Sequence, residues 1–193
     1  MPDIILPGLT MHFEKAGQGR PLLLIPGALG TGAGDFPGQI DWFAERGFEV
    51  IAPDPRGYGK SRPPERDYPP DFYTRDAADM FALMSALGHE RFSIIGWSDG
   101  GNIAVIMAAG QPGRVAKLVV FGGQSYLTAE EIAAFNNIRK ISAWSPRAAE
   151  AMRRVYGDAL EGLWERYIAG QEALFNAGGD LYQALLAKVK CPT

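Results

Sequence analysis

The sequence predicts an α/β fold, a mostly parallel sheet with crossover helices and a helical cap. Three observations carry this. Four short apolar runs, "PLLLIPG" (21–27), "FEVIAPD" (48–54), "FSIIGW" (92–97) and "AKLVVFGG" (116–123), each end at Gly or Pro or run into one. Unbroken apolar runs of this length fit strands covered on both faces, as parallel strands are. Helical patterns lie between them, which makes crossover connections. After residue 124 the strand signal stops and only helical patterns follow.

Taken in order, "IILPGLTMHFEKAG" (4–17) reads as one or two weaker edge strands turned by Pro7-Gly8. Strands are expected near 21–26, 48–53, 92–97 and 116–122. The stretch 74–87 places Ala77, Phe81, Met84 and Leu87 on one helical face, and Gly88 ends it. A second helix, 99–109, is closed by Gly110 and Pro112. Thr128 and Glu131 form a capping box ahead of Ile132, Phe135 and Ile138. Ser145-Pro146 opens another helix that stops at Gly157. Leu160, Leu163, Trp164, Tyr167 and Ile168 mark a third, and 180–189 reads as a fourth. The expected division is therefore 1–125 as sheet core, 126–189 as a helical cap insertion, and 190–193 as the lead-in to a further core segment.

Composition narrows the function. A chain of 193 residues suits one domain. Its 19 basic and 22 acidic side chains are scattered and leave a net charge of −3, so no basic patch invites nucleic acid. The single cysteine, Cys191, excludes an intrachain disulfide and a cysteine-based metal site. No apolar run is long enough to span a membrane, and Met1-Pro2-Asp3 does not begin like a signal peptide. A cytoplasmic protein without cofactor or metal is the expectation.

"SIIGWSDGGN" (93–102) carries the chemistry. Gly96-Trp97-Ser98-Asp99-Gly100 matches G-x-S-x-G between a predicted strand and a predicted helix. On so sharp a turn, a Cβ two residues to either side of Ser98 would strike neighbouring backbone. The turn lifts the hydroxyl clear of the sheet edge, and the helix start aims N–H groups at developing negative charge. The plain alternative is a serine capping the helix. An oxyanion hole needs two donors. The Asp99 N–H is one, and Gly27 in "LLLIPGALG" would let the Ala28 N–H, or alternatively that of Leu29, be the other.

On these stretches the sequence resembles the biphenyl hydrolase-like group of the α/β-hydrolases. "LLLIPGALGTG", "PDPRGYGKSRPPERDYPPDFYTRDA" and "GWSDGG" carry the resemblance across roughly residues 20–125, and "ISAWS" extends it into the cap. The resemblance implies an α/β-hydrolase fold and a serine esterase that forms an acyl-enzyme on Ser98, with a preference for small α-amino-acid esters. It also implies that Asp99 binds the substrate's α-ammonium, a sound pairing for a carboxylate one residue from the nucleophile. An acidic residue complementing the dipole of the first helical turn is the other reading.

Two motifs are set aside. "DPRGYGKS" imitates the end of a phosphate loop, but its first position is Asp54 rather than Gly, and "RPPERDYPP" cannot open the helix such a loop needs. Asp54 and Arg56 are expected to brace this loop instead. The glycines of "GALGTGAG" do not space as G-x-G-x-x-G. Trp144, Trp164 and Tyr167, at helical spacing, fit cap packing better than a pocket.

The general base is missing from the pattern. His89 precedes the strand that ends at Ser98, which puts it roughly 20 Å away at the opposite sheet edge, and no motif aims His12 at the site. In the family the triad acid and histidine follow the next strand, for which "KCPT" looks like the lead-in. The expectation is a fragment of an active esterase, a ligand-binding remnant, or a chain completed by a second polypeptide. As given, it leaves "KLVVF" as an open edge suited to self-association.

Overall fold

The computed structural model describes residues 2–193. In chain order its elements are β1 (Asp3–Leu6), β2 (Leu9–Ala16), β3 (Arg20–Ile25), α1 (Gly32–Asp35), α2 (Gln39–Ala44), β4 (Phe48–Pro53), α3 (Phe72–Ala86), β5 (Phe92–Trp97), α4 (Asp99–Gly110), β6 (Val115–Phe121), α5 (Ala129–Asn137), α6 (Pro146–Tyr156) and α7 (Leu160–Asn176). The six-stranded sheet is ordered β1-β2-β4-β3-β5-β6. β3 runs parallel to β4 and β5, and β5 to β6, whereas β2 is antiparallel to both β1 and β4. The four strands read from the apolar runs are all present, and 4–17 forms the antiparallel edge.

The unbroken apolar runs have a simple cause. Leu22 and Leu24 of β3 pack with Phe36, Val50 and Ala52 on one face of the sheet. Their neighbours Leu23 and Ile25 pack on the other face with Met80, Phe81, Ile103 and Met107 of α3 and α4. Every position is covered, and each fully buried Leu or Ile contributes about 1.5–3 kcal/mol. α4 is buried all round from Asp99 to Ala109, because it lies between the sheet, α3 and the chain's last turns. That explains its nearly unbroken apolar sequence.

Three features differ from expectation. α1 and α2, between β3 and β4, carry no clear periodic signal, being short and, in α1, half glycine. The predicted fourth helix at 180–189 is a 3-10 stretch, Gln183–Lys188. The Asp180 carboxylate accepts from the Gln183 N–H at 2.6 Å. The tighter turn then places Tyr182 and Leu185, three apart, on one side against the core. The predicted open edge of β6 is partly occupied, since the Leu118 N–H donates to the Pro192 carbonyl at 2.9 Å. Val119 and Phe121 nevertheless remain half exposed.

α5 and α6 begin at the expected caps, Thr128 with Glu131 and Ser145 with Pro146. The helical segment leaves and returns at one place: Tyr126 bridges Asp180, and the Leu127 N–H donates to the Gly179 carbonyl. Ile141, Leu160, Leu163, Trp164 and Ile168 then form one cluster with Leu29 and Tyr58 from the loops after β3 and β4. The cap is thus seated on the loops at the carboxyl ends of the strands, where open α/β sheets carry their sites.

The long connection from Asp54 to α3 is held by charge rather than by secondary structure. Arg66 is buried and donates twice to Asp76, at 2.8 and 2.6 Å, and once to the Arg56 carbonyl. Arg56 in turn grips Asp79 through two bonds of 2.7 Å. Removing one partner of a buried pair strands the other charge, at a cost of about 3–5 kcal/mol. Asp76→Ala should therefore lose about that much stability in urea unfolding, and a loss below about 1 kcal/mol would contradict this role for the pair.

Candidate active site

β5 delivers the chain to Ser98, and α4 takes it away. Ser98 has φ 53° and ψ −123°, left-handed for a residue with a side chain, a conformation costing about 1–3 kcal/mol. The flanking glycines permit it. A Cβ on Gly96 would lie 2.3 Å from the Gly100 carbonyl oxygen, and one on Gly100 would lie 2.1 Å from that of Ile25. The Ser98 N–H is fixed by the Phe121 carbonyl at 2.9 Å. Ser98 stands at the cap position of α4, yet its side chain makes no capping bond. Ser98 is partly buried at the carboxyl edge.

The loop after β3 comes directly against it. A Cβ on Gly27 would meet the Ser98 Cβ at 3.1 Å and the Trp97 indole nitrogen at 2.9 Å. Gly27 to Gly30 form a turn closed by a 3.0 Å bond from the Gly30 N–H to the Gly27 carbonyl, with Leu29 at φ 59°. The Asp35 carboxylate accepts from the Gly27 N–H at 2.8 Å, and burial raises its pKa above the ordinary aspartate value. Among the described residues, the N–H groups of Ala28, Leu29 and Asp99 have no acceptor. The structure thus sets the turn that carries Ala28 and Leu29 against Ser98 through Gly27, with Asp99 the residue after Ser98.

The Asp99 side chain turns away from the helix start into the cap. It is buried, and its Oδ1 accepts from the hydroxyls of Tyr73 at 2.7 Å and Tyr167 at 3.1 Å. Gln171 Nε2 donates to the Tyr73 hydroxyl at 3.0 Å, completing a network across α3, α4 and α7. Burial pushes the Asp99 pKa up to about 6, while the two tyrosine hydroxyls and the more distant Arg66 oppose the rise and Asp76 adds to it. Tyr73, Tyr167 and Gln171 gave no motif in the sequence. Only helical spacing on α7 marked Tyr167, and it read as packing. Trp144 and Trp164 do pack, edge to face with ring centres 4.9 Å apart, and both indole N–H groups donate to the Ile138 carbonyl.

Asp54 and Arg56 brace loops, as expected. Asp54 accepts from the Gly32 N–H at 3.0 Å and the Lys60 N–H at 2.9 Å. Neither histidine reaches Ser98. His89 lies 3.5 Å from Glu49 at the amino ends of the strands. His12 sits at the carboxyl edge but on β2, with β4 and β3 between it and β5, a span of about 14 Å at strand spacing. Its ring bonds Asp3 at 2.7 Å and lines a separate cleft of about 360 Å³ with Asp54, Lys60 and Arg62. No cluster suited to a metal ion occurs among the described residues. No helix of the described residues is long and apolar enough to cross a membrane.

A strained serine between two obligatory glycines, at a strand-to-helix turn of this sheet, defines an α/β-hydrolase. The family profile described as "alpha/beta hydrolase fold" matches residues 20–159, and the chain belongs to that family. It is 39% identical to the serine hydrolase BPHL of Mus musculus over 193 residues, covering 98% of this chain and 66% of that protein. The human BPHL gives the same identity and coverage over 192 residues. The chain therefore spans about two thirds of the length of these curated relatives. Among solved structures, a carboxylesterase of Nitrososphaera gargenis aligns with TM-score 0.75 and 22% identity, over 98% of this chain and 77% of that one. A thermophilic esterase from Thermogutta terrifontis aligns with TM-score 0.72 and 22% identity, over 100% and 78%. At that identity these two speak to the fold alone.

Asp99 gives the site a pH signature. Its folded pKa stands above the ordinary carboxylate value, so between about 3.8 and about 6 the native state binds more protons than the unfolded one. Stability from this group is present below that window and is lost as pH rises through it. Asp99→Asn keeps both tyrosine bonds and removes the titration. The stability difference between parent and variant should therefore shift in the variant's favour from pH 4 to pH 7, on the order of 2–3 kcal/mol. A difference that stays constant across this range, measured by urea unfolding, would contradict the buried, titrating carboxylate.

Proposed function

We propose that the chain carries the nucleophile of a serine hydrolase acting on carboxylic esters, with small α-amino-acid esters as the preferred class. One observation carries the reading: the strained, uncapped Ser98 hydroxyl stands against a turn whose Ala28 N–H is unsatisfied, with the unsatisfied Asp99 N–H beside it. Ser98 Oγ attacks the ester carbonyl and passes its proton to a general base. The Ala28 and Asp99 N–H groups receive the oxygen as it becomes negative. The tetrahedral adduct expels the alcohol, which takes up the proton, and leaves an acyl-serine that water hydrolyses. BPHL, named a serine hydrolase, supports the class of chemistry.

A general base must come within about 3.2 Å of the serine oxygen, directly or through one water. Neither His12 nor His89 is placed to do so. The 193 residues alone should accordingly show little or no Ser98-dependent turnover of an activated ester. Fast hydrolysis by this chain, abolished in Ser98→Ala, would mean that the base lies among these residues after all.

Asp99 supplies the preference. Its carboxylate, ionised above pH 6, faces the cap one residue from the nucleophile, and an α-ammonium one carbon from the scissile carbonyl would pair with it. A charge-assisted bond is worth about 1.5–3 kcal/mol, or about 10–150-fold. In the protein expressed from its complete reading frame, Asp99→Asn should lower kcat/KM by that factor for an aminoacyl ester and far less for its des-amino counterpart. The ratio between the two esters should also fall as pH drops below about 6, whatever the base does, because the base is common to both. Equal losses on both esters would give Asp99 a purely structural task.

A further inference from the structure

The turn beside Ser98 is held from the cap. Tyr156, the last residue of α6, is buried and donates its hydroxyl to the Leu29 carbonyl at 2.7 Å, across 127 residues of sequence. The same hydroxyl accepts from the Gly59 N–H at 3.3 Å, so it is oriented from behind. Burial holds its pKa above the ordinary tyrosine value, which keeps it a donor at neutral pH.

This bond acts on the oxyanion loop through two rigid units. A trans peptide is planar, with its C=O and N–H pointing in opposite directions. The unit joining Leu29 to Gly30 has its carbonyl on Tyr156 and its N–H on the Gly27 carbonyl, at 3.0 Å. The unit joining Gly27 to Ala28 therefore has its carbonyl fixed by that bond, and its N–H is the Ala28 donor. Leu29 between them is held at φ 59°, a left-handed conformation that costs a residue with a side chain about 1–2 kcal/mol. Without the Tyr156 bond, that residue has reason to relax and carry both units with it.

We infer that Tyr156 is a positioning residue for catalysis: by seating α6 on the Leu29 carbonyl it sets the direction of the Ala28 N–H, and so couples cap closure to oxyanion stabilisation at Ser98. The inference rests on the reading of Ser98 and Ala28 given above. Because the oxyanion forms only after attack, the loss should fall on kcat rather than on substrate binding.

The test compares Tyr156→Phe with Tyr58→Phe in the protein expressed from its complete reading frame. Tyr58→Phe removes another hydroxyl bond of the same cluster, the 2.9 Å pair with Tyr68, while keeping the ring that packs edge-on against Tyr156 and leaving the Leu29 carbonyl its donor. Tyr156→Phe should lower kcat about tenfold with KM within about twofold, as expected for a displaced oxyanion donor. Amide hydrogen exchange in peptides covering 26–31 should speed up in Tyr156→Phe and not in Tyr58→Phe. An unchanged kcat, a change confined to KM, or equal effects of the two variants would overturn the inference. A parent rate that Ser98→Ala leaves intact would instead overturn the Ser98 reading, and the exchange comparison would then decide alone whether Tyr156 holds the turn.

Discussion

Ser98 keeps its left-handed backbone because three stretches of main chain close on it at contact distance. β5 arrives beneath, α4 leaves above, and the end of β3 passes alongside. Gly96 and Gly100 are the points of nearest approach, each without room for a single carbon. The strain, about 1–3 kcal/mol, is carried by the burial of β3, β5 and α4 on both sides of the sheet. Once the turn is made, the rest of the site follows. The serine hydroxyl leaves the sheet, and α4 begins at the next residue.

Asp99 takes part twice by virtue of its position. Its N–H points forward at the helix start, while its carboxylate turns under the cap to Tyr73 and Tyr167. The cap therefore meets the site through polar contacts from two helices. α7 reaches Asp99 through Tyr167, and α6 reaches the Gly27–Gly30 turn through Tyr156. Each contact lies within an otherwise apolar seam of Leu29, Leu160, Leu163 and Ile168. A buried hydroxyl bond in such surroundings is expensive to leave unmade, so it fixes geometry more than it adds stability. On the proposed reading, the cap is part of the site rather than a cover over it.

How much of this was legible in the sequence depended on how local each signal was. The strands were readable because a run covered on both faces must be apolar throughout, as in Leu22 to Ile25. The elbow was readable because Gly96, Ser98 and Gly100 are required by one turn. α1 and α2 were not, since elements of 4 and 6 residues, the first half glycine, are too short to show a period. The 3-10 form of Gln183–Lys188 depended on Asp180 and on how the chain returns to the core. Tyr73, Tyr156, Tyr167 and Gln171 were invisible as site residues for a different reason. Each is an ordinary helix-face side chain whose partner lies 26 to 127 residues away, as in the bonds to Asp99, Leu29 and Tyr73.

The proposed chemistry turns on covalent acylation of Ser98. The most direct measurement is rapid quenching of the protein expressed from its complete reading frame during turnover of an activated ester, followed by intact-mass and peptide mass spectrometry. One acyl group is expected, confined to the peptide containing Ser98 and absent from Ser98→Ala. Turnover with no acyl group on that peptide, or with an acyl group that persists in Ser98→Ala, would contradict it.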